Sequence, residues 1–248
     1  MSSTVFGIIP AAGKARRLPF LPFSKELLPV RDLDKKGEIH PVIEHVLAQF
    51  TEAGANSTLI IISRDKFDIL RYLGDGKKFN SQFAYLVQDE QRGMPFALDQ
   101  AYPIVGESDV VFGMPDTMFG PPDAVKLTLD SLHENQADLV LGLFPTTQPQ
   151  KFGMVDFDPE TNRYIHCIDK PRETALEFMW GVAAWNSKFT QYLHTFVSQF
   201  DQGQEALLGD VFEGAHKSGL RVLVRPFTQG KYVDIGTTDD WERNNPFI

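Results

Sequence analysis

Residues 1–150 alternate continuous apolar runs with amphipathic segments, and this alternation limits the fold more than any other feature of the sequence. The run at 58–62 is mostly β-branched, as expected for a strand that is covered on both faces. In the segment before it, Ile43, Val46 and Phe50 recur at helical spacing and share one face. This order predicts a three-layer α/β/α fold around a mainly parallel, mixed and twisted sheet.

In the first half of the chain, the pattern predicts strands at 5–10, 27–30, 58–62, 83–88, 109–114 and 137–144, and helices at 41–53, 65–73, 93–105 and 124–135. After Phe152 the pattern changes to strands at 153–157, 164–168, 178–185, 220–227 and 232–235, of which the first two are antiparallel, with helices at 188–200, 207–217 and 238–244. No linker, repeat or low-complexity stretch separates these parts. We therefore predict one domain over residues 1–248.

A cluster of cations follows the first predicted strand. Small residues occupy positions 11–13, so that a ligand could approach the backbone N–H groups of the turn there. Four basic side chains lie from Lys14 to Lys25, and no Asp or Glu occurs before Glu26. Small residues followed by cations favour a site for a polyanion such as a triphosphate. A basic surface loop with solvated side chains is the alternative.

Two aspartates follow apolar strands and could hold a metal ion. A carboxylate at the carboxyl edge of a sheet, as expected for Asp116, is well placed to hold a divalent cation over phosphates; a turn or helix cap is the alternative. Asp234 ends the last predicted strand, where an Asp-x-Gly turn is the alternative. Gly13, Gln88 and Asp116 follow three separate strands. Because ligands of such sheets bind beyond the carboxyl ends, we expect these three residues to converge.

The net charge and the cysteine content limit which binding partners and which cellular setting we expect. The net charge of −9 and the pI near 5.1 argue against nucleic acid or an anionic membrane, because both require a broad basic surface. The single cysteine, Cys167, excludes an internal disulfide framework. We find no run long enough for a membrane helix and no signal peptide, so that a reducing cytoplasm is the expected setting.

Two runs near the start of the chain match a known signature, namely AAGKARRL at 11–18 and KELLPV at 25–30. They resemble the motif of the sugar-phosphate nucleotidyltransferases, which reads roughly LAGGxGTRL followed by KxLLPV. In this alignment Gly13 takes the second glycine, Arg17 the motif arginine and Lys25 the motif lysine. The resemblance implies a Rossmann-like fold of the GT-A-like nucleotidyltransferase type.

The resemblance also implies which residues bind the nucleotide. Gln88 and Gly93 match a Gln and a Gly that contact the edge of a pyrimidine base in the family, which favours UTP or dTTP. Positions 12 and 15 carry alanine where the family has glycine, which affects the shape of the loop. The implied nucleotide-binding residues are Ala11, Ala12, Gly13, Lys14, Gln88 and Gly93.

The implied catalytic residues are Arg17, Lys25 and Asp116. We expect Arg17 to hold the β- and γ-phosphates and the leaving pyrophosphate, and Lys25 to stabilise charge at the α-phosphate. Asp116 and Asp234 match the two metal-binding aspartates of the family. Two carboxylates together with water and phosphate oxygens suit Mg²⁺, which is therefore the expected cofactor.

Four positions match residues that line the sugar-phosphate site in the family: Gly153, Asp169, Lys170 and Gly181. Lys170 takes the place of the lysine in the family's E-K-P motif, which meets the sugar phosphate. Asp169 replaces the usual Glu and reaches one methylene less far, which alters the expected sugar pocket. The segment 202–204 lacks an arginine that some relatives use for the sugar phosphate.

These matches follow the family's order along nearly the whole chain. We therefore predict an enzyme that transfers a nucleotidyl group from a nucleoside triphosphate to a sugar 1-phosphate and releases pyrophosphate. Residues 1–150 would form the nucleotide-binding half, and residues 151–248 the sugar-phosphate-binding half and a lid. Two alternatives stay open: a cytidylyltransferase that acts on a non-sugar phosphate, and a nucleotide-binding relative without turnover. The sequence does not identify the sugar or the base that the enzyme uses. It also leaves the oligomeric state open, and a homo-oligomer is one of the options.

Overall fold

The computed structural model describes residues 4–13, 21–31, 38–200 and 205–235. The strands are β1 (Val5–Pro10), β2 (Pro29–Arg31), β3 (Ile39–Pro41), β4 (Ser57–Ile62), β5 (Gln82–Val87), β6 (Asp109–Gly113), β7 (Thr117–Gly120), β8 (Leu139–Pro145), β9 (Gly153–Asp158), β10 (Arg163–Asp169), β11 (Phe178–Trp185), β12 (Val222–Pro226) and β13 (Lys231–Asp234). The helices are α1 (Ile43–Glu52), α2 (Phe67–Leu73), α3 (Met94–Asp99), α4 (Tyr102–Val105), α5 (Ala124–Glu134), α6 (Ser187–Gln199) and α7 (Leu208–Lys217). The helix predicted at 238–244 lies outside the described residues.

Within the described residues, nine strands form one sheet in the order β5-β4-β1-β6-β11-β8-β12-β10-β9. Strands β5, β4, β1 and β6 pair in parallel, and so do β8 and β12. Strand β11 runs antiparallel between β6 and β8, and β9 and β10 form the predicted antiparallel pair. The chain reaches β11 from this hairpin, without a helical crossover, which permits the antiparallel insertion. The predicted mixed α/β class is confirmed.

Helices cover both faces of the sheet. Along β4, Ile60 packs in the core beneath α1, α2 and α5, whereas Ile61 packs in the core beneath α3, α4, α6 and α7. Successive side chains of a strand point to opposite faces, which explains why this strand is apolar throughout. The three-layer arrangement therefore follows the predicted pattern. Among the described residues, no helix combines the length and the apolar composition that crossing a membrane requires.

The prediction of one continuous helix at 93–105 is wrong, because the structure has two helices there. Helix α3 ends at Asp99, and α4 begins at Tyr102. Pro103 lies in the first turn of α4 and has no N–H to donate to the carbonyl of Asp99, so a continuous helix would lose that bond. The break leaves α3 short, with its N-terminus at Gly93.

A two-stranded ribbon that the sequence pattern did not predict lies beside the main sheet. Strand β7 pairs antiparallel with β13, and their register places Thr117 opposite Asp234 and Phe119 opposite Tyr232. The rings of Phe119 and Tyr232 are stacked with their centroids 5.8 Å apart. This ribbon brings the last described strand of the chain to the carboxyl end of β6.

Candidate active site

Two adjoining cavities open at the carboxyl ends of the parallel strands. The smaller cavity, of about 190 Å³, lies where β1, β5 and β6 end. The larger cavity, of about 300 Å³, lies between β6, the β7–β13 ribbon, β9, β10 and β11. The residues that line both cavities are Lys25, Met94, Met114, Asp116 and Glu205.

The smaller cavity brings together the three residues expected to converge. Gly13, Gln88 and Asp116 all line it, although they follow three different strands. Gln88 is buried, and within the described residues its side-chain amide has no hydrogen-bond partner. Gln91, which sequence reasoning missed, donates from Nε2 to the carbonyl oxygen of Ala12 over 2.6 Å. A buried amide that faces a cavity without a protein partner is available for a ligand.

Of the other predicted nucleotide-binding residues, some line the smaller cavity and others do not. Ala12 and Gly93 line the smaller cavity. Ala11 is fully buried and is not among the cavity-lining residues of the described chain; its N–H donates to the carbonyl oxygen of Ile61 over 2.7 Å. The predicted nucleotide-binding Lys14 and catalytic Arg17 lie outside the described residues.

Lys25 and Asp116 form a largely buried ion pair in the wall shared by the two cavities. Lys25 Nζ contacts Asp116 Oδ2 directly. Burial lowers the pKa of Lys25, but the attraction of Asp116 and Glu26 outweighs it and raises that pKa. Burial raises the pKa of the Asp116 carboxyl, but Lys25 outweighs it and lowers that pKa. Both groups are therefore charged at neutral pH.

The β7–β13 ribbon places a second carboxylate beside this pair. Asp234 lies opposite Thr117, and the N–H of the next residue, Ile235, donates to the carbonyl oxygen of Asp116 over 3.0 Å. Asp234 also lines the larger cavity and raises the pKa of Lys25 by its charge. In the described part of the chain, no cluster of three or more His, Cys, Asp and Glu side chains could hold a metal. Two carboxylates fit Mg²⁺, whose remaining ligands are usually water and phosphate oxygens.

The predicted acceptor residues Gly153, Asp169 and Lys170 line the larger cavity. A Cβ atom at Gly153 would collide with the indole Nε1 of Trp180, so that glycine is needed for the ring to lie across this strand. Lys170 has a φ of +46°, and its N–H donates to the carbonyl oxygen of Phe152 over 2.9 Å. A left-handed conformation is unusual for lysine, and such strain is concentrated at functional sites.

Gly181 does not line either cavity in the described chain. It lies on β11 behind Tyr232, and a Cβ atom there would collide with the tyrosine ring. Tyr232, Lys151 and Glu205 line the larger cavity instead, and sequence reasoning missed all three. Lys151 could have been found, because it comes two residues before Gly153. Glu205 follows a segment without periodicity, which gave no signal.

Gly93 and the segment around Ala206 close the wall between α3 and the two cavities. Gly93 has a φ of +107° and a ψ of 169°, and a Cβ atom there would collide with the carbonyl oxygen of Ala206. The N–H of Ala206 donates to the carbonyl oxygen of Arg92 over 3.1 Å. Only glycine fits this conformation and this close approach.

A comparison with protein families decides the assignment. The model described as "Nucleotidyl transferase" matches residues 6–248. The chain belongs to the nucleotidyl transferase family. Its match includes all the cavity-lining residues described above.

One individual protein that this nucleotidyl transferase family member resembles in sequence has a low identity to it. The low-salt glycan biosynthesis nucleotidyltransferase Agl11 of Haloferax volcanii is 26% identical over 170 residues, which is 67% of this chain. The chain spans 45% of the length of that relative.

Two solved structures share the fold. The first is a candidate glucose-1-phosphate thymidylyltransferase from Bacillus anthracis in complex with sucrose, with a TM-score of 0.84 and 22% identity over 98% of this chain and 94% of that one. The second is a UDP-glucose pyrophosphorylase in complex with UDP-glucose, with a TM-score of 0.79 and 17% identity over 97% of both chains. At these identities the likeness shows the fold, and the predicted nucleotidyltransferase-type fold is confirmed.

Proposed function

We propose that this protein transfers a nucleotidyl group from a nucleoside triphosphate to a sugar 1-phosphate, giving a nucleotide sugar and pyrophosphate. The observation that carries the proposal is the pair of adjoining cavities whose shared wall contains Lys25 and Asp116. Such an arrangement suits two substrates that react at one phosphorus atom, because each occupies its own cavity and the charged groups lie between them.

In this proposal the smaller cavity binds the nucleotide. The backbone at 11–13, with Lys14, receives the phosphates, and the unpartnered amide of Gln88 reads the edge of the base. An amide offers one donor and one acceptor group, which matches the imide edge of uracil or thymine. UTP and dTTP are therefore the favoured donors. Gly93 contributes by allowing the 205–206 segment to approach the cavity.

The larger cavity binds the acceptor. Lys170 is proposed to hold the acceptor phosphate, and Asp169 to accept hydrogen bonds from sugar hydroxyl groups. Gly153 keeps Trp180 in the cavity wall, where its ring offers an apolar surface. Gly181 acts indirectly, because its lack of a side chain leaves space for the ring of Tyr232.

The reaction needs positioning and charge neutralisation rather than a covalent protein intermediate. An oxygen of the acceptor phosphate attacks the α-phosphorus, and pyrophosphate leaves from the opposite side. Lys25 stabilises the charge that develops at the α-phosphate, and Arg17 holds the leaving pyrophosphate. Asp116 and Asp234 would hold Mg²⁺, which would supply positive charge to offset that of the phosphates. No side chain has to change its protonation state.

The relatives support this choice of reaction. Agl11 is named as a nucleotidyltransferase of glycan biosynthesis, and the two structural neighbours are named as a candidate glucose-1-phosphate thymidylyltransferase and as a UDP-glucose pyrophosphorylase. Activated sugars are what glycan assembly consumes. The division into a nucleotide half at 1–150 and an acceptor half with a lid at 151–248, and the cytoplasmic setting, remain parts of the proposal.

The test is pyrophosphate release with Mg²⁺, across UTP, dTTP, CTP and ATP and a panel of sugar 1-phosphates. Release from UTP or dTTP with one sugar phosphate supports the proposal. Release only from CTP with a non-sugar phosphate such as phosphocholine would establish the cytidylyltransferase alternative. Nucleotide binding without turnover on either panel would identify an inactive relative.

A matched pair of variants tests the acceptor site. Because a hydrogen bond to a charged group is lost, Lys170→Ala should raise the KM for the sugar phosphate by about ten- to a hundredfold and leave the KM for the nucleotide unchanged. Lys188→Ala, at an exposed lysine of α6, is the control and should change neither constant. A Lys170→Ala enzyme that loses nucleotide binding instead would contradict this role.

A further inference from the structure

Lys25 lies in a short turn that is not part of the main sheet. Residues Lys25–Leu27 form one turn of 3₁₀ helix, in which the N–H groups of Leu27 and Leu28 donate to the carbonyl oxygens of Ser24 and Lys25 over 2.9 and 3.0 Å. We refer to Ser24–Leu28 as the Lys25 turn. Such a short turn has little stability of its own, so its position depends on tertiary contacts.

Asp68, in the first turn of α2, holds the residue before Lys25. Its two carboxylate oxygens accept hydrogen bonds from the N–H and the hydroxyl group of Ser24, each over 2.6 Å. A carboxylate that binds two donors of one residue fixes the direction of the chain at that residue as well as its distance.

Lys66, at the N-terminal end of α2, holds the residue after Lys25. Its Nζ donates to Glu26 Oε1 over 2.6 Å, and the side chains of Lys66 and Glu26 are only 7% and 1% exposed. The two neighbours of Lys25 are thus attached to the same end of one helix, whereas Lys25 itself points to Asp116.

We infer that Lys66 and Asp68 are positioning residues that act through Lys25: they hold the Lys25 turn so that its amine reaches the wall between the two cavities. This inference rests on the catalytic role proposed above for Lys25. The C-terminal end of the turn is held separately, because Leu28 is buried and its carbonyl oxygen accepts from the N–H of Val42 over 2.9 Å. Lys66 and Asp68 hold the part from Ser24 to Glu26, and a shift there of about 1 Å in a charged catalytic group is sufficient to cost about a hundredfold in rate.

The first test measures the turn without using activity. Hydrogen exchange of the peptide that covers residues 24–28 should become more than about tenfold faster in Asp68→Ala, while peptides from β1 and β6 keep their wild-type rates. Asp65→Ala is the matched control, because Asp65 is exposed and no contact joins it to the turn in the described chain. Unchanged exchange at 24–28 in Asp68→Ala would overturn the inference.

The second test is a double-mutant cycle on kcat/KM. Asp68→Ala should lower kcat/KM by about ten- to a hundredfold in the wild-type background and have no further effect in the Lys25→Met background. The neutral pair Lys66→Met with Glu26→Gln, which removes both partners' charges so that neither is left buried alone, should behave in the same way. Equal losses in both backgrounds would show a merely structural role and reject the inference.

The two tests separate this inference from the proposed function. If the wild-type protein releases no pyrophosphate with any substrate, the proposed function fails, while hydrogen exchange still reports whether Lys66 and Asp68 hold the turn. If the wild-type protein is active and both variants keep its kcat/KM, the positioning role fails and the proposed function stands.

Discussion

At the scale of single residues, Lys66 and Glu26 illustrate how much a buried ion pair depends on both partners. Burial raises the pKa of the Glu26 carboxyl, and Lys66 and Lys25 oppose this rise. Within the described residues, Oε2 of Glu26 has no hydrogen-bond partner, so that Lys66 supplies the main contact to this carboxylate. Removal of the lysine would leave a buried, uncompensated charge.

Replacement of this lysine should therefore destabilise the protein in a pH-dependent way. Lys66→Met should lower the free energy of unfolding by about 3–5 kcal/mol at pH 7.5. In this variant the pKa of Glu26 is raised further in the folded state, so the folded protein binds a proton at a higher pH than the unfolded chain does. The deficit relative to the wild type should consequently shrink as the pH falls through the folded pKa of Glu26 in the variant towards the lower, but still raised, folded pKa of Glu26 in the wild-type protein.

Urea unfolding between pH 5 and pH 8 measures this effect. Lys78→Met, at an exposed lysine that pairs with Glu44, is the control and should cost less than about 1 kcal/mol at every pH. A Lys66→Met deficit that is independent of pH would show that Glu26 does not take up the proton.

At the scale of elements, the start of α3 and the segment at 205–207 depend on one backbone conformation. Gly93→Ala should lower the free energy of unfolding by about 3 kcal/mol, because the new Cβ atom meets the carbonyl of Ala206 and the φ, ψ values of Gly93 are accessible only to glycine. It should also raise the KM for the nucleotide, since Gly93 lines the smaller cavity.

The matched control for this variant is Gly219→Ala. Gly219 has a φ of +91°, yet no heavy atom lies within 4 Å of a Cβ atom built there, so only the conformational cost of about 1 kcal/mol applies. Urea unfolding and initial-rate kinetics on both variants separate the two costs. Equal losses of stability, with equal KM values for the nucleotide, would refute a steric role for Ala206.

The elements that sequence reasoning located are those with a local signal. The central strands are continuous apolar runs, and α1 has a regular apolar face, so that both can be read from a short window. Strand β7 was missed because its four residues have no alternation of their own and pair with β13, more than 100 residues later in the chain. Its existence depends on tertiary contacts, which a local pattern does not contain.

The candidate site, too, contains some features that the sequence could locate and others that depend on tertiary contacts. The sequence placed Gly13, Gln88 and Asp116 at the ends of strands, and in the structure they share a cavity. It could not show that Lys25 and Asp116 touch, since one lies in a single 3₁₀ turn and the other follows β6, far apart in the chain. It also could not distinguish Gly181, which supports a ring, from a residue that lines the cavity.

At the scale of the whole molecule, the mixed sheet and the β7–β13 ribbon bring two carboxylates from distant parts of the chain to one place. Under the proposed function, this predicts that Asp234→Asn weakens Mn²⁺ binding to the enzyme–nucleotide complex and lowers kcat by about a hundredfold or more, because one of the two proposed metal ligands is lost. Electron paramagnetic resonance of Mn²⁺ measures the binding independently of turnover.

The control for the metal prediction is Asp65→Asn, which removes a charge from an exposed position outside both cavities. It should keep the wild-type affinity for Mn²⁺ and the wild-type kcat. If Asp234→Asn kept both values as well, the second metal ligand would have to be sought elsewhere in the chain.

The pairing of β13 with β7 has a consequence for how the protein becomes active during synthesis. Residues 1–230 include the cavity-lining lysines Lys25, Lys151 and Lys170 and the whole of the nine-stranded sheet, but not Asp234. The nine-stranded sheet can therefore form on the ribosome before the proposed metal site is complete. Under the proposed function, full turnover would begin only after β13 has emerged from the exit tunnel, so that a translation product interrupted before that strand would consume little nucleoside triphosphate.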